Sequence, residues 1–299
     1  MQLYKASLKL KSSLVTPLKG DTIWGHIVWG IANHEGEDAV KKFLDAEKKS
    51  EPELIVSSAF PKGTICKPFP KHEMRKLQMS KKEYAQIKKK KKEKFVSAEK
   101  YLTVSDEVYE KPFKFEQVQT MHNSINRFSE TVEEGNLFTT EEMWATHQDF
   151  DLYVLSSYSK EKIKQLLDWA FENGYGADSS VGKGHIQVAD IEPVQTKTCS
   201  TKYVALAPFV TDFSVIKEDS LRANTFIRTG KIGGAYSSFM SPYKKTVILF
   251  DEGAVFETEK PIQFIGKLIE NVHSDDKICQ SGFAPVIPLG EDEWKNVTK

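Results

Sequence analysis

The stretch GADSSVGKGHI, Gly176 to Ile186, decides the reading of this 299-residue chain. Its glycines and lysine suggest a phosphate-binding P-loop, which needs G-x-x-x-x-G-K-[ST] after a strand and at the start of a helix. Here five residues separate Gly176 from Gly182, and Gly184 stands where the magnesium-binding hydroxyl belongs. The flanking elements are inverted as well. Ser159 is placed to cap a helix before the loop, with Ile163, Leu166, Leu167, Ala170 and Phe171 on one face and Asn173-Gly174 as its stop. After the loop, HIQVADIEPV reads as a strand. The stretch is a helix-to-strand connection and not a nucleotide-hydrolysing loop.

Working outward, Tyr4, Ala6, Leu8 and Leu10 alternate with Lys5, Ser7, Lys9 and Lys11, which predicts a strand with one apolar and one basic face. A turn at Pro17 to Gly20 follows, with Asp21 placed to cap a helix whose apolar face is Trp24, Ile27, Val28 and Ile31. A second helical stretch runs to about Lys49, and LIVSSAF (Leu54 to Phe60) reads as a strand. Extended structure is expected over Phe113 to Phe128 and Asn136 to Tyr158. The order strand, helix, strand, extended region, helix, strand is the β-α-β-β-α-β arrangement of a ferredoxin-like unit. The expected fold is therefore α+β: two tandem ferredoxin-like units with antiparallel sheets, at 1–195 and 203–299, with a Lys-rich insertion near 67–100. In the second unit, KTVILF-DEG-AVFET reads as a hairpin, Gln263 to Val272 as a helix and SGFAPVIPL as a final strand.

Charge is segregated. The chain carries 42 Lys and Arg against 42 Asp and Glu, yet Lys67 to Lys100 holds 13 basic and 4 acidic residues, a local excess of 9. A neutral protein can thus present a basic stripe. The run MSKKEYAQIKKKKKEKF has almost no apolar stripe and predicts a mobile helix or loop. Three scattered cysteines make neither a metal spacing nor a disulfide framework. No metal or cofactor is expected. No signal peptide or membrane span is legible, so a cytoplasmic location without a membrane partner is expected.

A glycine-rich loop between the second helix and fourth strand of a ferredoxin-like unit resembles the hallmark of the RAMP superfamily of CRISPR RNA-binding proteins. GDTIWGHIVWGI (Gly20 to Ile31), MHNSINRFSETVEEGNLFTTEEMW (Met121 to Trp144) and SGFAPVIPLG (Ser281 to Gly290) are similar to segments of one subunit family within it. Those subunits cap the 5′ end of the CRISPR RNA (crRNA) in type III-A, or Csm, effector complexes of antiviral defence. The resemblance implies a non-catalytic RNA-binding subunit that holds the crRNA 5′ tag. It implies two protein partners, the large palm-domain signature subunit and the backbone RAMP subunit. The lysine run and the break at NHEGE (Asn33 to Glu37) depart from the family pattern.

Candidate RNA-binding residues follow. Gly182, Lys183 and Gly184 would let backbone amides and one ammonium meet phosphates. Asn123, Asn126 and Arg127 are polar residues between extended segments, and His122 could stack on a base. In the second unit, Arg228, Lys231, Gly233 and Gly234 combine charge with flexible backbone near Tyr236 and Phe239, which suits single-stranded RNA. Each has an ordinary alternative: a solvated turn lysine, a surface ion pair, a structural histidine, a plain glycine loop. His26 carries the rival function, a metal-independent RAMP endoribonuclease that processes CRISPR repeat RNA, but no second acid or base accompanies it. Asp149 and Asp151 would share a strand face, most simply a solvated one.

Overall fold

β1 (Gln2–Leu10) lies at the centre of the first sheet. The computed structural model of the chain describes residues 1–69, 80, 84–85, 88, 92–103, 113–125, 127–233 and 241–298. β2 (Leu54–Pro61), β3 (Thr64–Cys66), β4 (Phe95–Ser97), β5 (Phe115–Ile125), β6 (Val132–Ala145), β7 (Asp149–Ser156) and β8 (Ile186–Pro193) complete the strands of the first unit. The first sheet has the order β2-β7-β1-β8 and all its pairings are antiparallel. Helices α1 (Gly20–Glu35) and α2 (Glu37–Lys48) connect β1 to β2, and α3 (Lys160–Phe171) connects β7 to β8. This is the order expected of a ferredoxin-like unit.

The helices cover one face of that sheet. Ala6, Leu8 and Leu10 of β1 and Leu152 and Val154 of β7 pack with Ile23, Ile27 and Ile31 of α1 and Ile163, Leu166 and Leu167 of α3. Ser159 accepts a hydrogen bond from the Lys162 amide, as its position before α3 predicts. At α1 the expected cap is absent. Lys19 is the cap residue, makes no side-chain cap bond, and Asp21 is instead buried in the first turn. Its carboxylate is taken by Arg228 of the second unit, which outweighs a backbone cap.

The opposite face of the sheet is buried around Lys5, while Lys9 at the far end of β1 stays exposed. Lys5 is 2% exposed and pairs with Glu192 at 2.8 Å. Asp151 is fully buried rather than solvated; the Gly63 amide donates to its Oδ2 at 2.7 Å, tying down the turn between β2 and β3. Phe60 and Tyr153 on this face pack with Val204, Leu206, Val255 and Ile287 of the second unit.

The second unit contains β9 (Lys202–Ala205), β10 (Thr225–Arg228), β11 (Val247–Phe250), β12 (Val255–Glu257), β13 (Phe264–Ile269), β14 (Gln280–Pro288) and helix α4 (Glu291–Thr298). Its main sheet has the order β12-β9-β14-β13, again antiparallel. Two expectations are corrected here. Gln263 to Val272 holds the strand β13 and no helix, because Phe264 to Ile269 pairs residue by residue with β14. β11 and β12 do not form a hairpin: β11 pairs with β10 and β12 with β9. The chain crosses between sheets because Asp251 and Glu252 of the turn bind Lys19, at 2.5 and 2.6 Å, in place of folding β12 back. Most of the Lys67–Lys100 stretch, including the greater part of the lysine run, lies outside the described residues. Among the described residues, no helix is long and apolar enough to cross a membrane.

Candidate nucleic-acid interface

The glycine loop is laced to the segment that follows β1. Gly184 N–H donates to the Ser13 carbonyl at 2.8 Å, His185 N–H to Ser12 Oγ at 2.9 Å, and Ala177 N–H to Thr16 Oγ1 at 3.0 Å. Tyr175 is fully buried and donates its hydroxyl to the Pro17 carbonyl at 2.7 Å. Gly184 has φ of +66°, and a Cβ there would lie 2.0 Å from the Tyr175 carbonyl oxygen, so only glycine fits. Gly182, with φ of +89°, faces open space. One glycine closes the loop against the body; the other lies open at the surface, its amide donating to the Ser179 carbonyl at 3.0 Å. A cleft of about 580 Å³ runs beside it, lined by Asn173, Ser179, Ser180, Gly182, Lys183 and His185.

α1 is the post on which both glycine loops rest. The Gly176 amide donates to His26 Nε2 at 3.1 Å, and the His26 ring packs against Tyr175 at 4.9 Å. Burial pushes the His26 pKa below its ordinary value, against a hydrogen bond with the Ala170 backbone that raises it. An imidazole held as an acceptor in this way is a loop fastener, not a proton donor to a ligand. Three residues on, on the adjacent turn, Trp29 meets Gly233, where a Cβ would come within 2.8 Å of the indole nitrogen.

β5 and β6 form a long two-stranded hairpin whose exposed residues include Met121, Ile125 and Leu137, each more than 60% exposed. His122 stacks on Phe138 with ring centroids 5.4 Å apart, and its Nε2 lies 2.8 Å from Thr140 Oγ1. Phe138 is 53% exposed, so this pair is a ready aromatic surface. Asn123 and Arg127 are exposed toward the hairpin tip. Asn126 lies outside the described residues, as do Gly234, Tyr236 and Phe239.

The two basic residues with the strongest sequence case are both occupied. Lys183 Nζ lies 2.6 Å from Oε1 of Glu142, which is 2% exposed and takes the Ser13 hydroxyl on Oε2 at 2.7 Å. Lys183 first, and Ser13 with it, hold the Glu142 carboxyl below the usual range. Arg228 binds Asp21 through two hydrogen bonds, while its guanidinium lies 5.1 Å from the Phe226 ring centroid. Lys231 is exposed, with its ammonium 5.3 Å from the Tyr243 ring centroid. Glu142 and Asp21, the residues that organise the cations, carry no motif. Their partners lie 41 and 207 residues away in the chain.

Among the described residues, no group of three or more His, Cys, Asp or Glu could hold a metal ion. Asp151 is committed to Gly63 and Glu142 to Lys183 and Ser13, so the two carboxylates do not share a site.

The fold and the loop have recognisable relatives. The RAMP superfamily model matches residues 10–187, more than half of the chain. No curated protein matches it in sequence. Among solved structures, the chain matches Csm4 in crystal structures of the Csm1-Csm4 cassette. With AMPPNP the TM-score is 0.57 at 14% identity, covering 97% of this chain and 100% of that one. With cA4 it is 0.56 at 14% identity, covering 97% and 99%. With pppApA it is 0.55 at 15% identity, covering 97% and 100%. At such identities the likeness is one of fold, and it runs the length of both chains. From the family match, the glycine loop and the β2-β7-β1-β8 sheet together, this chain belongs to the RAMP superfamily.

Proposed function

We propose that the chain is a non-catalytic RNA-binding subunit of a type III-A CRISPR effector complex, holding the 5′ tag of the crRNA. The observation that carries this reading is the convergence on α1 and the preceding Lys11–Pro17 segment. The open glycine loop, the second glycine loop at Gly233 and the root of the exposed hairpin all meet there. Gly182, with no side chain in the way, lets the strand approach, exposed cations such as Arg127 and Lys231 take phosphates, and the His122–Phe138 pair takes a base face. Asn123, Asn126 and Gly234 complete the contact set, while Gly184, buried with its amide on the Ser13 carbonyl, shapes the loop and does not meet RNA. The matched relatives are Csm4 chains from Csm1-Csm4 cassettes, and a large subunit of the Csm1 kind is the corresponding partner here. A backbone RAMP subunit is the second partner.

The nuclease alternative depends on His26, whose Nε2 is engaged by the Gly176 amide and whose burial disfavours protonation. One experiment addresses both readings. The tagged chain is purified with its partners, and bound RNA is sequenced and bound proteins are identified by mass spectrometry. Repeat-tagged RNAs with a large subunit and a backbone subunit are expected. Repeat RNA incubated with the isolated chain, with and without magnesium or manganese, is expected to stay intact. Specific cuts that vanish in His26→Ala would replace this proposal with the nuclease.

A further inference from the structure

Glu142 stands on β6 where the hairpin leaves the body of the first unit. Two other parts of the chain meet on its one carboxylate: Ser13 after β1 and Lys183 of the glycine loop. One residue on, Met143 and Leu14 exchange backbone hydrogen bonds of 2.7 and 3.0 Å. Toward the tip, the strands expose Met121, Ile125 and Leu137. The root of the arm is therefore fixed by a backbone bridge and a buried ion pair, with Phe113 and Phe115 packing on Phe150 beside them.

We infer that the Glu142–Lys183 pair is a joint that sets the angle of the hairpin to the glycine loop, and that Lys183 is a positioning residue for RNA, not a phosphate contact. Glu142 is 2% exposed, and carrying its cation away to a ligand would leave a buried carboxylate without a counter-charge. Lys183 is itself only 22% exposed, so its ammonium is largely spent on Glu142. Gly182 beside it faces open space, so a strand can approach the loop while the lysine holds the arm, although the Gly182 amide itself donates to the Ser179 carbonyl. The consequence for RNA rests on the function proposed above; the joint itself rests on the geometry alone.

Two readouts test the joint on the full chain. The first is amide hydrogen exchange over residues 115–125 and 132–141. Glu142→Gln and Lys183→Met should each speed exchange in the arm by about tenfold, as a local opening would. Lys183→Arg, and the reversed pair Glu142→Lys with Lys183→Glu, should restore protection. The second readout is binding of a single-stranded RNA carrying the repeat-derived 5′ tag, measured across salt concentrations. Lys183→Met and Glu142→Gln should weaken binding equally and leave the salt slope at the wild-type value. A slope lowered by about 0.7 in Lys183→Met alone, with Glu142→Gln unaffected, makes Lys183 a phosphate contact and overturns the joint. Unchanged arm exchange in both single variants overturns it as well. Failure of the RNA reading shows separately, as absence of binding by the wild-type chain, while the exchange data still decide the joint.

Discussion

Arg228 on β10 grips Asp21 on α1 with two parallel hydrogen bonds, Nε to Oδ2 at 2.7 Å and Nη2 to Oδ1 at 2.8 Å. This fork spans the two units, and beside it Lys19 binds Asp251 and Glu252 with the opposite polarity. The charges at the start of α1 therefore alternate in sign and are answered in order by the second unit. Such a pattern fixes one docking register, because exchanging the positions of Lys19 and Asp21 against the second unit would set like charges together.

Breaking the fork should cost more than losing a surface ion pair. Asp21 is 2% exposed at its side chain, and without Arg228 it would keep the weaker bond from Gln280 Nε2 at 3.3 Å but no cation bonded to it among the described residues. Arg228→Ala is expected to destabilise the chain by about 3–5 kcal/mol. Arg228→Lys should recover only part of this, since an ammonium cannot reproduce the planar fork. The neutral pair Asp21→Asn with Arg228→Gln should be milder than Arg228→Ala. Urea unfolding of the four proteins checks the order, and equal midpoints for wild type and Arg228→Ala would refute it.

The two glycines flanking Lys183 should behave differently on substitution. Gly182→Ala meets no neighbour and bears only the strain of φ at +89°, about 1–2 kcal/mol. Gly184→Ala drives a Cβ to 2.0 Å from a backbone oxygen and must shift the loop off Ser12 and Ser13. Thermal unfolding should show a small loss for Gly182→Ala and a much larger one for Gly184→Ala. Similar losses would mean that the loop is not closed at Gly184 as described.

What the sequence made legible was local. Ser159, the apolar face from Ile163 to Phe171 and the period-two run of β1 each carry their signal within a few residues, and each formed as read. The misreadings share a physical cause. Phe264, Ile265, Leu268 and Ile269 fit a helical stripe as well as an alternating strand, and pairing with β14 decides for the strand. DEG at Asp251 to Gly253 has turn chemistry, but its carboxylates are claimed by Lys19, 232 and 233 residues away. The same holds in the site. The glycine loop announced itself, whereas Glu142 gained its role only when folding brought Ser13 and Lys183 to it.

A buried acid makes the stability of the chain fall as pH rises from about 4.5 to about 8. Glu47 is 1% exposed; burial pushes its carboxyl up to about 8, although Trp24 Nε1 donates to Oε1 at 2.8 Å and works the other way. The folded state thus binds a proton that the unfolded chain, with an ordinary glutamate, releases near 4.5. Its contribution is full below the unfolded value and is lost as pH rises toward about 8, at up to about 1.4 kcal/mol per pH unit. Glu252, raised by burial to about 7, adds to the same slope. Glu47→Gln should flatten the decline between pH 6 and pH 8.5 in urea unfolding. Parallel pH profiles for wild type and variant would show that Glu47 ionises without cost.

RNA contacts and scaffold contacts should separate by their response to salt. Arg127 and Lys231 are exposed, so replacing either with alanine leaves no buried charge behind and should hardly change the unfolding midpoint. If each meets one phosphate of a single-stranded tag, each replacement lowers the salt-dependence slope by about 0.7. Phe138 supplies a ring face and no charge. Phe138→Ala should therefore weaken binding by about 1–3 kcal/mol with the slope unchanged. Arg228→Lys is the internal control: it loosens the two units and weakens binding without a slope change, because its charge is retained. Changing the tag's bases should matter more than changing the guide's, since phosphates carry no sequence information and only stacked or edge-read bases do. Binding is measured in the assembled complex with tag-altered and guide-altered RNAs. Wild-type slopes in Arg127→Ala and Lys231→Ala together would put the RNA path elsewhere on the surface, with the two glycine loops left as supports for α1.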